Sequence, residues 1–164
     1  MDQIFVVPVG VGEMAAVEAL TLPPALVETV GGAGPWHVTG ILEEGSNRAL
    51  WEEMAPDDLI LYYRDGAIVA AATVAATAHS PDLAVRLWPR DVSPPRALLC
   101  FTDHPHEGEV PIIPPMYRYL EREYRGLTRL QDERVGYILN DYGSFEVFTR
   151  LCLRYDFPFS LRHT

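Results

Sequence analysis

The chain has 164 residues, of which 48% are hydrophobic and 22% are charged. This balance is typical of a folded globular domain and excludes a largely disordered chain. Its length predicts one domain over residues 1–164, large enough to bury a core without disulfide or metal staples. No apolar run approaches the roughly 20 residues that cross a bilayer, so no membrane partner is expected.

The charge of the chain is strongly acidic. Its formal net charge is −10 at pH 7, and all 13 basic residues are arginine. General phosphate binding favours a basic surface, so electrostatics alone would hold a nucleic acid weakly. A local arginine patch can still contact phosphates and stack on bases. Binding to nucleic acid would therefore need a specific pocket or a basic partner.

The two cysteines indicate a reducing compartment. Cys100 and Cys152 lie 52 residues apart, each between apolar neighbours. Such residues are typical of small buried thiols and not of a metal pair or a disulfide framework. The start of the chain also lacks the basic region of a secretory signal, so we expect a cytoplasmic protein.

Hydrophobic periodicity and turn signals predict alternating strands and helices. In the first half they predict a strand over 3–9, helices over 13–20 and 25–30, and a strand over 36–41. They also predict a helix that Ser46 or Asn47 caps, that ends at Met54 and that buries Trp51. A hairpin of 59–63 with 67–75 follows it. In the second half they predict a helical turn over 82–87, strands over 97–102 and 110–113, a helix over 116–124, a strand over 136–139 and a helix after Ser144. This order indicates a mixed α/β (α+β) fold whose short strands can curl into a barrel.

Two tryptophans frame the most informative segment. Trp36 follows the Gly/Pro-rich turn 31–35, and Trp88 ends the run Leu87-Trp88 before Pro89. Large aromatic residues beside turns can form a stacking slot for a flat ligand such as a nucleobase. The alternative is that either tryptophan is simply part of the core, as most tryptophans are.

The segment from Trp36 to Pro89 resembles the PUA-like superfamily, specifically its EVE and YTH branches. The matching features occur in a fixed order: a Trp after a Gly-rich turn, a polar helix cap at Asn47, a Met54-to-Asp58 turn, an aromatic strand, a Gly/Ala-rich strand, a second Trp and an apolar strand. The pattern before Trp88 is also similar to the N-terminal recognition domains of McrBC-type modification-dependent restriction systems. The ordered set covers residues 36–113, and the match beyond residue 113 is loose.

The resemblance implies a PUA-like curled β-barrel with flanking helices and an aromatic cage for a modified base. It implies that Trp36 and Trp88 are two walls of that cage and that the backbone carbonyl of His37 meets the exocyclic N–H of the base. The third wall would come from the loop after Trp88, where the candidates are Val92, Pro94 and Pro95. Asn47 matches a helix-cap Asn of the family and is either structural or directed at the ligand.

The chain departs from the YTH pattern at the edge of the base. YTH proteins place a polar side chain roughly ten residues before the first Trp, and here the nearest polar residues are Glu28 and Thr29. The sequence therefore leaves both methyladenine and a modified cytosine open as the base that is bound. The best phosphate-binding candidates are Arg48, Arg64 and Arg90, which are otherwise solvated surface arginines.

The sequence carries no recognisable catalytic motif. The potential metal ligands in the segment 103–107 lack helical zinc spacing and a second ligand cluster, so a polar hairpin loop and no bound metal are expected. Cys100 lies in an apolar strand, which raises a thiol pKa instead of lowering it. Neither a Gly-rich phosphate loop nor a nucleophile elbow occurs.

These observations predict a non-catalytic domain without a cofactor that holds a flipped-out modified base of DNA in an aromatic cage. Such a domain would be the specificity module of a restriction or defence system, with a nuclease or NTPase in the same chain or in a partner. Two alternatives stay open: an RNA-binding EVE- or ASCH-like module, and a PUA-like protein-interaction domain that the net charge of −10 would favour.

Overall fold

Strands and short helices alternate in the computed structural model, which describes residues 3–10, 12–17, 28, 36–91 and 93–151. The strands are β1 (Ile4–Pro8), β2 (Gly12–Val17), β3 (Trp36–Ile41), β4 (Leu59–Arg64), β5 (Ala67–His79), β6 (Leu98–Thr102), β7 (His106–Pro111) and β8 (Thr128–Arg129). The helices are α1 (Asn47–Glu52), α2 (Pro81–Leu87), α3 (Asp132–Tyr142) and α4 (Phe145–Thr149), with a 3-10 turn at Pro114–Met116. The predicted mixed α/β class is confirmed.

The strands form one sheet in the order β2-β3-β6-β5-β4-β1-β8, and β7 also pairs with β5. Only β1 and β4 run parallel; the other described pairs are antiparallel. Strand β5 pairs with two strands in succession: residues 67–71 pair with β7, and residues 74–79 pair with β6. The loop between β6 and β7 stays attached to β5, since Asp103 accepts a hydrogen bond from the Thr73 amide through Oδ1 at 2.8 Å.

The hairpin of β4 and β5 confirms the clearest turn signal of the sequence. Asp65 and Gly66 both have positive φ, +48° and +79°. Two central residues with positive φ define a type I′ turn, whose twist matches that of the flanking strands. Asp-Gly favours this turn because glycine adopts positive φ without steric cost.

The sheet is not closed into a barrel in the part of the chain that the structure describes. β2 lies at one end of the strand order and β8, next to β1, lies at the other. One isolated parallel bridge joins Val9, just after β1, to Gly12, the first residue of β2. A Cβ at Gly12 would lie 2.5 Å from Val7 Cγ1, so the start of β2 packs directly on β1.

Side-chain alternation divides the core into three clusters. Ile4 and Val6 belong to a cluster that the C-terminal segments cover, whereas Phe5 and Val7 face a second cluster that contains Trp51. Trp51 is 9% exposed, and its indole nitrogen donates to the Leu99 carbonyl at 3.0 Å. The third and smallest cluster contains Val38 and packs under α2. The predicted core position of Trp51 is confirmed.

Several predicted elements are wrong. Residues 12–17 form β2 instead of a helix, because β3 offers a full antiparallel ladder to this segment. Of the predicted helix 25–30 only Glu28, which is helical, lies within the described residues. β7 begins at His106, so the loop after β6 is shorter than predicted.

The segment after β7 also differs from the prediction. Residues 116–124 form turns after the 3-10 turn instead of a helix, and the predicted strand 136–139 lies inside the 11-residue helix α3. Helix α4 is confirmed, with the Ser144 hydroxyl accepting from the Val147 amide at 3.1 Å.

Candidate nucleic-acid interface

Helix α2 presents Trp88 at its C-terminal end. The helix begins after Ser80, whose hydroxyl accepts a hydrogen bond from the Leu83 amide at 3.2 Å, and Pro81 occupies its first turn. Both features favour a helix start at this point. Leu83 and Ala84 bury the inner face of α2 against the third cluster, and Trp88 is partly buried against the same cluster. The tryptophan is therefore held by packing while part of it remains accessible to solvent.

The Trp88 ring lies directly on Gly40 of β3. A Cβ at Gly40 would lie 2.6 Å from Trp88 Cη2 and 3.0 Å from Arg96 Cβ. Contacts this short do not occur between real side chains, so only glycine allows the ring to occupy this place. Gly40 was not identified from the sequence, although a glycine inside a strand is typical of a close approach of another group.

Arg96 fixes the loop that follows Trp88. Its side chain is 7% exposed, donates from Nε to Asp91 Oδ2 at 3.0 Å, and donates from Nη2 to the Gly10 carbonyl at 3.0 Å. These bonds connect the loop to the turn between β1 and β2. The sequence alone does not indicate a role for Arg96, because this role depends on contacts with residues distant in sequence.

The three arginines predicted to bind phosphate differ in their position and in their ion pairs. Arg90 lies two residues after Trp88, is exposed, and pairs with no carboxylate among the described residues. Arg48 forms ion pairs with Glu43 and Glu52, and its hydrogen bond to Glu52 is the main cause of its raised pKa. Arg64 is exposed but precedes the β4–β5 turn, so the 13 residues of β5 separate it from α2.

Arg86 is a further exposed arginine, two residues before Trp88 in the sequence. It is exposed in the last turn of α2, and the described residues supply no carboxylate partner for it. Arg86 and Arg90 therefore flank the tryptophan in sequence on both sides. The sequence signal that could have indicated Arg86 is its position two residues before Trp88, which mirrors that of Arg90 two residues after it.

Trp36 is the first residue of β3 and pairs with Val17 of β2. The structure does not describe its side chain, so the predicted cage of Trp36 and Trp88 stays a prediction. Four residues of strand, about 13 Å, separate the backbone of Trp36 from Gly40, where the Trp88 ring lies.

His37 lies within the sheet between β2 and β6. Its carbonyl accepts a hydrogen bond from Thr102 Oγ1 at 3.4 Å, and its ring nitrogen Nε2 lies 3.0 Å from Nδ1 of His104. The carbonyl proposed to contact the base thus already has a partner within the sheet.

The remaining predicted site residues lie in two places. Asn47 is 8% exposed and donates from Nδ2 to the Leu42 carbonyl at 3.0 Å, which favours a structural role. Pro94 is exposed and follows Ser93 through a cis peptide bond in the loop after Trp88. Pro95 is partly buried in the same loop, and Val92 lies outside the described residues.

Two buried polar groups of the sheet, the Tyr62 hydroxyl and the Cys100 thiol, have raised pKa values. Tyr62 and Thr39 share a hydrogen bond of 2.5 Å between their hydroxyls. Burial raises the pKa of the Tyr62 hydroxyl and of the Cys100 thiol. Cys100 therefore remains a thiol near neutral pH, which is a poor nucleophile.

Within the described ranges, no three His, Cys, Asp or Glu side chains are grouped so that they could hold a metal ion. None of the helices described is both long and apolar enough to cross a membrane. No protein-family model matches the chain, and no curated protein matches it.

Proposed function

We propose that the chain is a non-catalytic domain that recognises a modified base of DNA and stacks that base on Trp88. The observation that carries the proposal is the arrangement at the end of α2. A partly accessible indole rests on a glycine and is flanked in sequence by two exposed arginines, Arg86 and Arg90.

Stacking on Trp88 suits a base because the ring is already in place. Gly40, Arg96 and the third cluster hold the ring before any ligand arrives. A held side chain loses little conformational entropy on binding. Stacking on an aromatic residue contributes about 1–3 kcal/mol per base. This gain offsets part of the few kcal/mol needed to extrude a base from a duplex.

The two arginines supply the phosphate contacts in this proposal. Both are exposed and lack carboxylate partners among the described residues, whereas the two ion pairs of Arg48 compete with phosphate. On a chain of net charge −10, two such contacts yield only modest, salt-sensitive affinity. Specific recognition in the pocket must therefore supply the rest.

The PUA-like curl of the sheet is part of the proposal. Its support is the bridge between Val9 and Gly12, which brings the first strand to the far end of the strand order. The hydrogen bond from Arg96 to Gly10 connects the same corner to the loop after Trp88. In this proposal Trp36 and Pro94 supply further walls of the cage around Trp88, whereas the His37 carbonyl keeps its bond to Thr102 and takes no part in base binding.

The cellular role follows from the same proposal. A base-recognition domain without its own catalytic group serves as the specificity module of a restriction or defence system, and a nuclease or NTPase acts on the DNA. The free, buried Cys100 supports a reducing, cytoplasmic setting.

The proposal is tested by fluorescence anisotropy at low salt with labelled oligonucleotides. The panel comprises DNA with N6-methyladenine, DNA with 5-methylcytosine, unmodified DNA and the corresponding RNA. We expect tighter binding of one modified DNA. Trp88→Ala should reduce this preference, whereas Arg90→Gln should weaken the binding of modified and unmodified DNA alike. Arg64→Gln is the matched control, since it removes the same charge at the distant end of β5.

Three outcomes would contradict the proposal. Equal binding of modified and unmodified DNA would show that the domain does not recognise the modification. Tighter binding of RNA favours an RNA-binding module. Failure to bind any oligonucleotide at low salt, together with capture of a purified nuclease or NTPase subunit, favours the protein-interaction alternative.

A further inference from the structure

A carboxylate lies beside Trp88 in the loop that follows it. The Asp91 amide donates a hydrogen bond to the Trp88 carbonyl at 3.0 Å, so a turn brings residue 91 back to the end of α2. The Asp91 side chain is 41% exposed and can therefore be reached by a ligand. The loop thus places an accessible carboxylate next to the residue on which the base is proposed to stack.

Arg96 holds this carboxylate in place. Its buried side chain donates from Nε to Asp91 Oδ2 at 3.0 Å and is itself anchored at the Gly10 carbonyl. A Cβ at Gly40 would touch both Arg96 Cβ and the Trp88 ring, so the arginine and the indole pack side by side. The carboxylate and the stacking ring are therefore fixed by the same contacts.

The second oxygen of the Asp91 carboxylate is available to a ligand. Arg96 occupies Oδ2, whereas Oδ1 forms no hydrogen bond with the residues that the structure describes. An ionised carboxylate accepts hydrogen bonds and donates none. Oδ1 can therefore meet an N–H group of a ligand, and it repels a carbonyl or phosphate oxygen.

An acceptor beside a stacking ring selects bases by their exocyclic group. Cytosine carries an N4 amino group that donates, whereas thymine carries O4, which accepts. A substituent at carbon 5 of cytosine leaves both N4 hydrogens in place, but methylation of adenine at N6 removes one of its two. A carboxylate that offers acceptors alone therefore favours a modified cytosine.

We infer that Asp91 accepts a hydrogen bond from the N4 amino group of a modified cytosine that stacks on Trp88. This inference rests on the proposed recognition of a base at Trp88 and names that base. Arg96 is a positioning residue in it, because the guanidinium orients the carboxylate and does not touch the base.

Fluorescence anisotropy with single-stranded DNA tests the inference without the cost of opening a base pair. The oligonucleotides carry 5-methylcytosine, thymine, unmodified cytosine or N6-methyladenine at one position. Thymine is the matched comparison, since it keeps the methyl group at carbon 5 and replaces the N4 amino group by O4. We expect the wild type to bind 5-methylcytosine more tightly than thymine by about tenfold or more.

The variant Asp91→Asn should abolish or reverse this preference. The amide oxygen of asparagine can still accept from Arg96, and its NH₂ group then faces the base, where it suits thymine O4. Asp82→Asn is the matched control, because it removes the same charge at an exposed position in the first turn of α2. It should leave the ratio of the two dissociation constants unchanged.

The outcomes separate this inference from the proposal on which it rests. Equal binding of 5-methylcytosine and thymine by the wild type, tighter binding of N6-methyladenine, or an unchanged ratio in Asp91→Asn that urea unfolding shows to be folded would overturn the role of Asp91. The wild-type comparison needs no variant. If Trp88→Ala binds like the wild type, or if cytosine and 5-methylcytosine bind equally, the proposed recognition at Trp88 itself is contradicted.

Discussion

Gly40 is the residue on which the position of Trp88 most directly depends. A Cβ there would lie 2.6 Å from the ring, so Gly40→Ala must displace Trp88. We expect a loss of about 1–3 kcal/mol in the free energy of unfolding, as for other overpacked sites. Urea unfolding monitored by tryptophan fluorescence measures it.

Gly136 provides the matched control for this substitution. It lies in helix α3, and a Cβ there would meet no atom within 4 Å. Gly136→Ala should raise the free energy of unfolding by about 0.5–1 kcal/mol, because alanine is the better helix former. A loss of stability at Gly136, or none at Gly40, would contradict the packing described for the two positions.

Asp58 is a second residue with a sharp prediction. It is fully buried and accepts hydrogen bonds from the Gln3 and Ala55 amides and from the Gln3 side chain. Asp58→Ala leaves these donors unsatisfied and should lower the free energy of unfolding by about 2–4 kcal/mol. Glu109→Ala, at an exposed position, should change it by less than about 0.5 kcal/mol in the same urea titration.

At the scale of elements, the cap of α2 determines how firmly Trp88 is held. The Ser80 hydroxyl accepts from the Leu83 amide, whereas Ser46, at the equivalent position of α1, makes no such bond. Ser80→Ala should therefore cost about 0.5–2 kcal/mol in thermal or urea unfolding, and Ser46→Ala should cost close to nothing. Equal effects at the two serines would contradict this difference.

The contact between the segment 117–120 and α3 predicts a dependence on pH. Hydrogen bonds from Arg118 and then Tyr119 lower the pKa of the Asp141 carboxyl from 3.8 to about 2. A lowered pKa in the folded state stabilises the fold above the ordinary pKa, and this contribution is lost as the pH falls towards 2. Urea unfolding between pH 5 and pH 2 should show this loss in the wild type and a smaller loss in Asp141→Asn. Identical pH profiles would contradict it.

Elements with strong local signals were predicted, and elements set by distant contacts were not. The Asp65-Gly66 turn and the Ser144 cap are determined by the residues that form them, so the predictions of the β4–β5 hairpin and of α4 are confirmed. Residues 13–17 favour a helix by composition, yet the ladder to β3 makes them a strand. Met116, Tyr119, Leu120 and Tyr124 are buried at helical spacing, but they line a series of turns.

The candidate site could be predicted only in part. Trp88 and Arg90 lie together because they are neighbours in sequence, so the pattern could indicate them. Gly40 and Arg96 contribute through contacts with residues far along the chain, which a single sequence does not show. Asn47 and Arg48 were candidates because of their position in the sequence. In the structure Asn47 is bonded to Leu42, and Arg48 is paired with Glu43 and Glu52, so both side chains already have partners within the protein.

At the scale of the whole molecule, the net charge of −10 repels a phosphate backbone, so the salt dependence of binding comes from the few arginines that contact phosphates. If Arg90 contacts one phosphate, Arg90→Gln should reduce the slope of log affinity against log salt by about 0.7–0.9. Anisotropy titrations at several salt concentrations measure the slope. Arg64→Gln should change it less, and an equal change in the two variants would contradict a localised phosphate contact.

The central claim is that a modified base stacks on Trp88. The most direct test is the ratio of the dissociation constants for unmodified and modified DNA in the wild type, Trp88→Phe and Trp88→Ala. The proposal predicts a ratio that falls from Trp to Phe to Ala, because stacking on the ring contributes about 1–3 kcal/mol per base. A ratio that is the same in all three folded proteins would contradict it.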